Sequence, residues 1–177
     1  MNWLVFFNYI NLQNSKMKNF ILNTYSVDII ENNGVIKRIF FDANSGKTYW
    51  RYKIPNLVGT KHSGIYLGCD SNGVQYFLHN HYHIGHACLV TAKEFSQGLP
   101  LGIYDGRCTN PPLKVIEIAL SRAVMKEPYR ALNYNCQGYT NEACHNHRKS
   151  EDVGKWGQRL FFGSLVLIGL SLVFDND

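Results

Sequence analysis

The chain lacks the sequence patterns that mark the commonest metal and nucleic-acid sites. It contains no Cys-x-x-Cys pair and no His-Glu-x-x-His segment, which are usual spacings of zinc ligands. It also has no run of five or more basic residues, and a net charge of +5 is mild for 177 residues. We therefore expect no nucleic-acid partner, no metal and no other cofactor.

Cysteine is present, but not in a pattern that indicates a disulfide framework. The five cysteines are an odd number: Cys69, Cys88, Cys108, Cys136 and Cys144. The first residues lack a basic start and carry only a short apolar run, which is not the pattern of a signal peptide. These absences favour a reducing, cytosol-facing location.

The remaining composition is that of a globular protein. With 45% hydrophobic and 18% charged residues, the chain can form a substantial core. Predicted strands come before predicted helices, so the expected fold class is α+β. The strands are predicted at 35–41, 48–53, 62–67, 74–79 and 88–90, with a strand or helix at 20–30. The helices are predicted at 91–95, from Pro112 to Pro128, and at 136–143.

Two local signals connect these elements. The turn sequence Asp-Ser-Asn-Gly at 70–73 predicts a hairpin of strands 62–67 and 74–79, which would place His62 beside His79. Strand 48–53 is expected to pair with strand 35–41. Thr91, followed three residues later by Glu94, forms the capping-box pattern of a helix start.

The most informative residue is Cys136, which follows Asn135 at the start of a predicted helix. The helix dipole and the free backbone N–H groups at a helix N-terminus favour a thiolate there. His62, at the head of an upstream strand, would supply an imidazole that takes the thiol proton and later returns it. The sequence therefore predicts an enzyme with a cysteine nucleophile.

Several segments resemble one family in the same order along the chain. They are His-Ser-Gly-Ile-Tyr-Leu-Gly at 62–68, the strand at 74–79 that ends in His79, Glu-Phe-Ser-Gln-Gly at 94–98, Arg-Ala at 122–123, and Asn-Cys-Gln-Gly-Tyr-Thr-Asn at 135–141. Together they resemble the lecithin:retinol acyltransferase-like (LRAT domain) family, a circularly permuted branch of the NlpC-type papain-like superfamily. The resemblance covers about residues 57–154. Gln137-Gly138 stands where the family has Glu-His.

The resemblance implies a circularly permuted papain-like fold and a Cys-His-His triad. Cys136 would be the nucleophile, His62 the general base and then acid, and His79 the group that orients His62. Asn135, Gln137 and Tyr66 are assigned to the oxyanion site or its surroundings. The implied reaction passes through an acyl-thioester, and the implied substrate is a phospholipid acyl ester.

Three alternatives remain open. The chain would be a cysteine peptidase or amidase of the NlpC type if its cleft is polar and open. It would be a non-enzymatic membrane-associated module, as in a toxin or defence protein, if the Cys136–His62 geometry is broken. Alternating histidines from His79 to His86 would also suit a metal, although a polar rim of the active site is the expected reading.

The C-terminal segment differs in kind from the rest, because residues 160–174 carry no charge. We divide the chain into an N-terminal extension with strands (1–56), a catalytic domain (57–155) and a hydrophobic tail (156–177). The tail is expected to associate with a membrane, with burial in the core as the alternative. Basic residues before it and acidic residues after it predict a cytoplasmic catalytic domain. The sequence does not indicate an oligomeric state.

Overall fold

The computed structural model describes residues 17–52, 61–104, 108–132 and 134–150. Within these ranges the chain forms eight strands and three helices. The strands are β1 (Met17–Leu22), β2 (Ser26–Glu31), β3 (Ile36–Phe40), β4 (Thr48–Tyr52), β5 (Lys61–Cys69), β6 (Gln75–His81), β7 (His86–Thr91) and β8 (Gly102–Ile103). The helices are α1 (Ala92–Ser96), α2 (Pro112–Met125) and α3 (Cys136–His145).

All eight strands belong to one sheet with antiparallel pairing, in which β5 is central. The start of β5 pairs with β4, and β8 lies outside β4. The other edge of β5 pairs with β6, which pairs in turn with β7. The meander β1–β2–β3 joins at the far end of β5, where Phe40 lies opposite Cys69. The α+β class with an antiparallel sheet is confirmed.

Two sequence predictions about the first strands are wrong. Residues 20–30 form parts of two strands, β1 and β2, because a turn at 23–25 reverses the chain. Strand β4 pairs with β5 and β8 rather than with β3. The cause is the connection after β3, where the Gly46 N–H donates to the Tyr66 carbonyl and the Tyr66 N–H donates to the Lys47 carbonyl. These bonds lead the chain into β4 beside β5.

The predicted hairpin and helices are confirmed. The Asp70 carboxylate accepts from the backbone N–H groups of Asn72 and Val74, which closes the turn between β5 and β6. Helix α1 begins with the predicted capping box, since Thr91 and Glu94 exchange side-chain and backbone hydrogen bonds. Helix α2 ends at Met125, three residues before Pro128, because the residues before a proline disfavour helical geometry.

The two faces of the sheet have different contents. One face packs on α2 and α3 around an aliphatic core that includes Ile65 and Leu67 of β5. The other face has an aromatic core of Tyr66, Phe77 and Phe95. Phe95 of α1 lies so close to β5 that a Cβ at Gly64 would be 2.6 Å from its ring. Glycine at this position therefore allows α1 to approach the sheet.

The strands of the N-terminal range belong to the same sheet as the segment predicted to be catalytic. Strand β4 pairs with β5 through five consecutive residue pairs, from Thr48↔Ile65 to Tyr52↔Lys61. The predicted tail, 156–177, lies outside the described residues, as do residues 1–16 and 53–60. In the part of the chain that the structure describes, no helix is long and apolar enough to cross a membrane.

A disulfide joins Cys108 to Cys144. It ties the segment that enters α2 to the last turn of α3, where the N–H groups of Thr109 and Asn110 also donate to the Cys144 carbonyl. The sequence did not predict this link, since pairing cannot be deduced from cysteine spacing alone. Cys69, Cys88 and Cys136 are free thiols.

Candidate functional site

Cys136 is the first residue of α3, and Asn135 caps the helix directly before it. The Asn135 Oδ1 accepts from the backbone N–H groups of Gln137 and Gly138, both at 3.0 Å. Its amide nitrogen donates to the Ala131 carbonyl and to the Ser150 hydroxyl. These four bonds fix the start of the helix on which the thiol sits. The structure thus gives Asn135 a positioning role at the predicted site.

The Cys136 thiol lies against the beginning of β5. Its Sγ is 3.9 Å from the carbonyl oxygen of Lys61, the residue directly before His62. Helix α3 also packs on β5 through the Ser63 and Thr140 hydroxyls, which are 3.2 Å apart. The cysteine residue is only 1% exposed. A substrate or reagent would therefore need a local opening to reach the sulfur.

The two predicted histidines lie in direct contact. The His62 Nε2 and the His79 Nδ1 are 2.7 Å apart, and the two rings meet nearly edge-on at 83°. Both side chains are buried, at 7% and 4% exposure. Since Nε2 of His62 is engaged with His79, a proton exchange between His62 and a thiol would take place at the other ring nitrogen, Nδ1.

Burial holds His79 in its neutral form. Its pKa lies well below the ordinary value of 6.5, because burial disfavours the imidazolium and the charges of His62, His81 and Arg51 act in the same direction. A neutral His79 would accept a hydrogen bond from His62 at Nδ1 and carry its own proton on Nε2. That Nε2 is buried and has no hydrogen-bond partner among the described residues. The arrangement suits a group that orients His62.

His81 follows on the same strand and on the same face. Its ring lies 5.8 Å from that of His62 and 5.2 Å from that of His79, centroid to centroid. Burial, followed by the charges of His83 and Arg51, lowers the pKa of His81 to about 4. His81 shares the face of His79 and is the other histidine that could orient His62. The hydrogen bond to His62 is made by His79.

Arg51 is a buried cation of the site that sequence reasoning missed. It lies opposite His62 in the register of β4 and β5, so the two side chains share a face. Its residue is 5% exposed, and its guanidinium donates to the carbonyls of Phe95 at 2.6 Å and Tyr52 at 3.0 Å. Burial lowers the pKa of Arg51, and a charge on Cys136 opposes that shift. Arg51 therefore interacts electrostatically with Cys136.

Tyr129 is a second residue that the sequence gave no signal for. Burial raises the pKa of its hydroxyl to about 12, and the charge of Cys136 is the next cause. The hydroxyl therefore stays protonated at neutral pH, and it interacts electrostatically with a charge on Cys136. Its backbone N–H donates to the Gly85 carbonyl at 2.6 Å, which holds it against the turn between β6 and β7.

The structure brings one of the other two predicted residues to the neighbourhood of Cys136. Gln137 is buried at 5% exposure, accepts a bond from Ser150, and lines a cavity of about 100 Å³ between β4 and α3. Tyr66 lies four residues along β5 from His62, roughly 13 Å away. Its hydroxyl donates to Asp42 at 2.8 Å. The Tyr66 hydroxyl is thus engaged by Asp42, and its assignment to the oxyanion site stays a prediction.

The remaining histidines do not form a metal site in the described residues. His81 and His83 have ring centroids 5.5 Å apart, and His145 stacks on His147. No group of three or more histidine, cysteine or acidic side chains in the described ranges has the geometry to hold a metal ion. The described contacts are a buried pair of imidazoles and, at the same end of β5, a thiol at the start of a capped helix.

Comparison with protein-family models, with curated proteins and with solved structures gave no match for this chain.

Proposed function

We propose that the chain is a thiol-dependent acyl-transfer enzyme, with Cys136 as nucleophile, His62 as general base and His79 as the residue that orients His62. The contact that carries the proposal is the His62–His79 hydrogen bond of 2.7 Å, at the strand end where the capped helix presents Cys136. On this proposal the fold is the circularly permuted papain-like fold of the LRAT-like family, which the resembling segments also support.

The proposed reaction has two half-reactions. The Cys136 thiol gives its proton to Nδ1 of His62, and the sulfur attacks the ester carbonyl carbon, forming a C–S bond and an oxyanion. The oxyanion collapses, the C–O bond to the alcohol breaks, and His62 returns the proton to the departing oxygen. Water or an acceptor alcohol or amine then attacks the thioester, with His62 again taking the proton. The acyl group leaves as an acid, ester or amide, and the thiol is restored.

Arg51 and Tyr129 would supply the electrostatics of this cycle. The buried guanidinium stabilises the thiolate in a low-dielectric setting, where such an interaction is stronger than in water. The Tyr129 hydroxyl is a donor that stays protonated, as an oxyanion donor must. Asn135 acts indirectly by fixing the start of α3.

Phospholipid acyl esters are the proposed substrate class. The proposed membrane attachment of residues 156–177 agrees with a lipid substrate, and it would hold the catalytic part at the cytoplasmic face. The reaction needs no metal or other cofactor, because thiol and imidazole provide both the nucleophile and the proton transfer.

The test is the intact mass of the full-length protein after a brief incubation with a soluble short-chain phosphatidylcholine, stopped in acid. We expect a mass gain equal to one acyl group, located on Cys136 and removed by hydroxylamine. Cys136→Ala should show no gain, while the matched variant Cys88→Ala should behave like the wild type. A parallel incubation with an acylated peptide amide separates ester from amide chemistry.

Acylation by the amide but not by the ester would identify a peptidase or amidase instead. Absence of any adduct with either substrate, in a protein whose Cys136 is still alkylated by iodoacetamide, would contradict the proposed activity and favour a non-enzymatic module.

A further inference from the structure

An exposed surface with apolar and basic side chains lies beside the candidate site. We define it as the rim, formed by Tyr82, Met125, Lys126, Arg130 and Leu132. Leu132, Tyr82 and Met125 are 71%, 69% and 67% exposed, and only Tyr25 is more exposed among the described large hydrophobic residues. Three of the four most exposed large hydrophobic side chains therefore belong to this one region.

Backbone contacts hold the two parts of the rim together. The turn between β6 and β7 docks on the segment after α2, through the β-bridge between His86 and Pro128 and the hydrogen bond from the Tyr129 N–H to Gly85. The Tyr82 and Tyr129 rings also meet edge-on, with centroids 5.7 Å apart. The rim is thus a fixed surface rather than separate exposed residues.

The same contacts place the rim at the border of the site. Tyr82 directly follows His81, whose ring contacts both His62 and His79. On the other side, the Asn135 side chain donates to the Ala131 carbonyl, next to Leu132. A molecule lying on the rim would therefore be adjacent to the residues that surround Cys136.

The charges of the rim favour an anionic partner. Lys126 and Arg130 are exposed and form no ion pair with any residue in the described ranges. The nearby carboxylate of Glu127 is already paired with Arg148 and Arg122. Exposed Tyr, Leu and Met beside unpaired basic side chains match the chemistry of an anionic lipid surface, with acyl chains below and phosphates above.

We propose that the rim docks on an anionic lipid surface and inserts Tyr82, Leu132 and Met125 at the level of the headgroups, so that the site opens onto the lipid. This inference rests on the proposed function, because it supplies the route by which a lipid ester reaches Cys136. The occupant is the bilayer itself, and a protein partner is the alternative that the test excludes or reveals.

The test uses the full-length protein and a tryptophan introduced by Tyr82→Trp, with Tyr25→Trp as the matched control at an exposed site on the β2 side of the sheet. Vesicles of phosphatidylcholine with or without phosphatidylglycerol carry brominated acyl chains that quench nearby indoles. We expect stronger quenching in Tyr82→Trp than in Tyr25→Trp, each measured against the wild type. Adding Lys126→Gln and Arg130→Gln should weaken the interaction with anionic vesicles by about 30-fold.

Equal quenching of the two introduced tryptophans would overturn the docking proposal. Quenching by anionic vesicles that does not change with Lys126→Gln and Arg130→Gln would also overturn it. Acylation of Cys136 by the soluble short-chain lipid is measured in the same variants. If that acylation persists while the quenching is absent, the rim proposal fails alone. If the quenching is present without acylation, the proposed enzyme activity fails and the lipid-docking surface stands.

Discussion

Two buried thiols, Cys88 in the middle of β7 and Cys136 at the N-terminus of α3, are almost equally shielded from solvent, at 3% and 1% exposure. Their surroundings differ. Cys88 lies in the aromatic core, and its Sγ donates weakly to the His79 carbonyl at 3.7 Å. Burial raises the pKa of the Cys88 thiol far above its ordinary range, and the charge of Glu94 adds to the effect. A buried cysteine in apolar surroundings is inert.

Cys136 is surrounded instead by groups that interact with charge. It stands at a helix N-terminus capped by Asn135, and the buried guanidinium of Arg51 interacts with it. The strand beside it carries His62, which is hydrogen-bonded to His79. Burial is common to the two cysteines, and they differ in the dipoles and charges around them.

Removing each thiol in turn should have the largest effect, because Cys136 is the proposed nucleophile and Cys88 is a packed core residue. We expect Cys136→Ala to lower ester turnover by at least about 10⁴-fold, because the nucleophile itself is lost. Cys88→Ala should leave turnover within about twofold of the wild type and lower the free energy of unfolding by about 1 kcal/mol, because it removes only packing. Turnover assays and urea melts of both variants make this measurement. Loss of activity in Cys88→Ala without loss of stability would break the distinction.

Because His79 and His81 are buried in their neutral forms beside His62, we expect the fold to lose stability in acid. The folded-state pKa values of His79 and His81 are depressed, so the unfolded chain binds more protons as the pH falls below about 6.5. Stability is therefore full above pH 6.5 and declines towards pH 4. His81, with a pKa of about 4, accounts for up to about 3 kcal/mol of that decline.

Urea melts of the wild type and His81→Gln between pH 7 and pH 4 measure this effect. The variant should lose less stability over the interval than the wild type. An identical pH dependence in the two proteins would show that His81 titrates normally in the fold.

Replacing His79 or His81 tests which histidine orients His62. We expect His79→Ala to lower kcat by about 100-fold and to change the shape of the pH–rate profile, because His62 loses its hydrogen-bond partner. His81→Gln is the matched control on the same strand and should keep kcat within about threefold at pH 8. Equal losses in the two variants, with unchanged pH profiles, would assign both histidines to packing.

Replacing Arg51 should have a smaller effect, and it tests whether the charge near Cys136 distinguishes this thiol from Cys88. Arg51→Met removes the buried charge near Cys136, and we expect the alkylation rate of Cys136 at pH 7 to fall by about tenfold. Arg51→Lys retains the charge and should recover part of that rate, whereas a role in structure alone would not follow the charge. The alkylation rate of unfolded protein in urea corrects for intrinsic reactivity. An unchanged rate in Arg51→Met would remove Arg51 from the site.

The sequence predicted the parts of this site that depend on local pattern. The turn at 70–73 identified the β5–β6 hairpin and so the neighbourhood of His62 and His79, and the sequence placed Cys136 at the start of a helix. Arg51 was not predictable, because its relation to His62 comes from the pairing of β4 with β5, and the sequence favoured a different partner for that strand.

The hydrogen bond of Tyr66 also depends on the tertiary fold. Its place in the motif suggested a role near the thiol, but the strand carries it away from His62 towards Asp42. The Cys108–Cys144 disulfide depends in the same way on the tertiary packing of α3 against the segment before α2. Contacts between residues distant in the sequence are those that local patterns do not specify.

Competitive alkylation of the native full-length protein measures whether Cys136 is an activated thiol. A brief exposure to limiting iodoacetamide at pH 7, followed by peptide mapping, gives the relative rates at Cys69, Cys88 and Cys136. We predict that Cys136 is alkylated first, ahead even of the partly exposed Cys69, and that Cys88 is alkylated only after unfolding. In His62→Gln, Cys136 should no longer be alkylated faster than Cys69. A Cys136 that stays as unreactive as Cys88 until the protein unfolds would contradict this prediction.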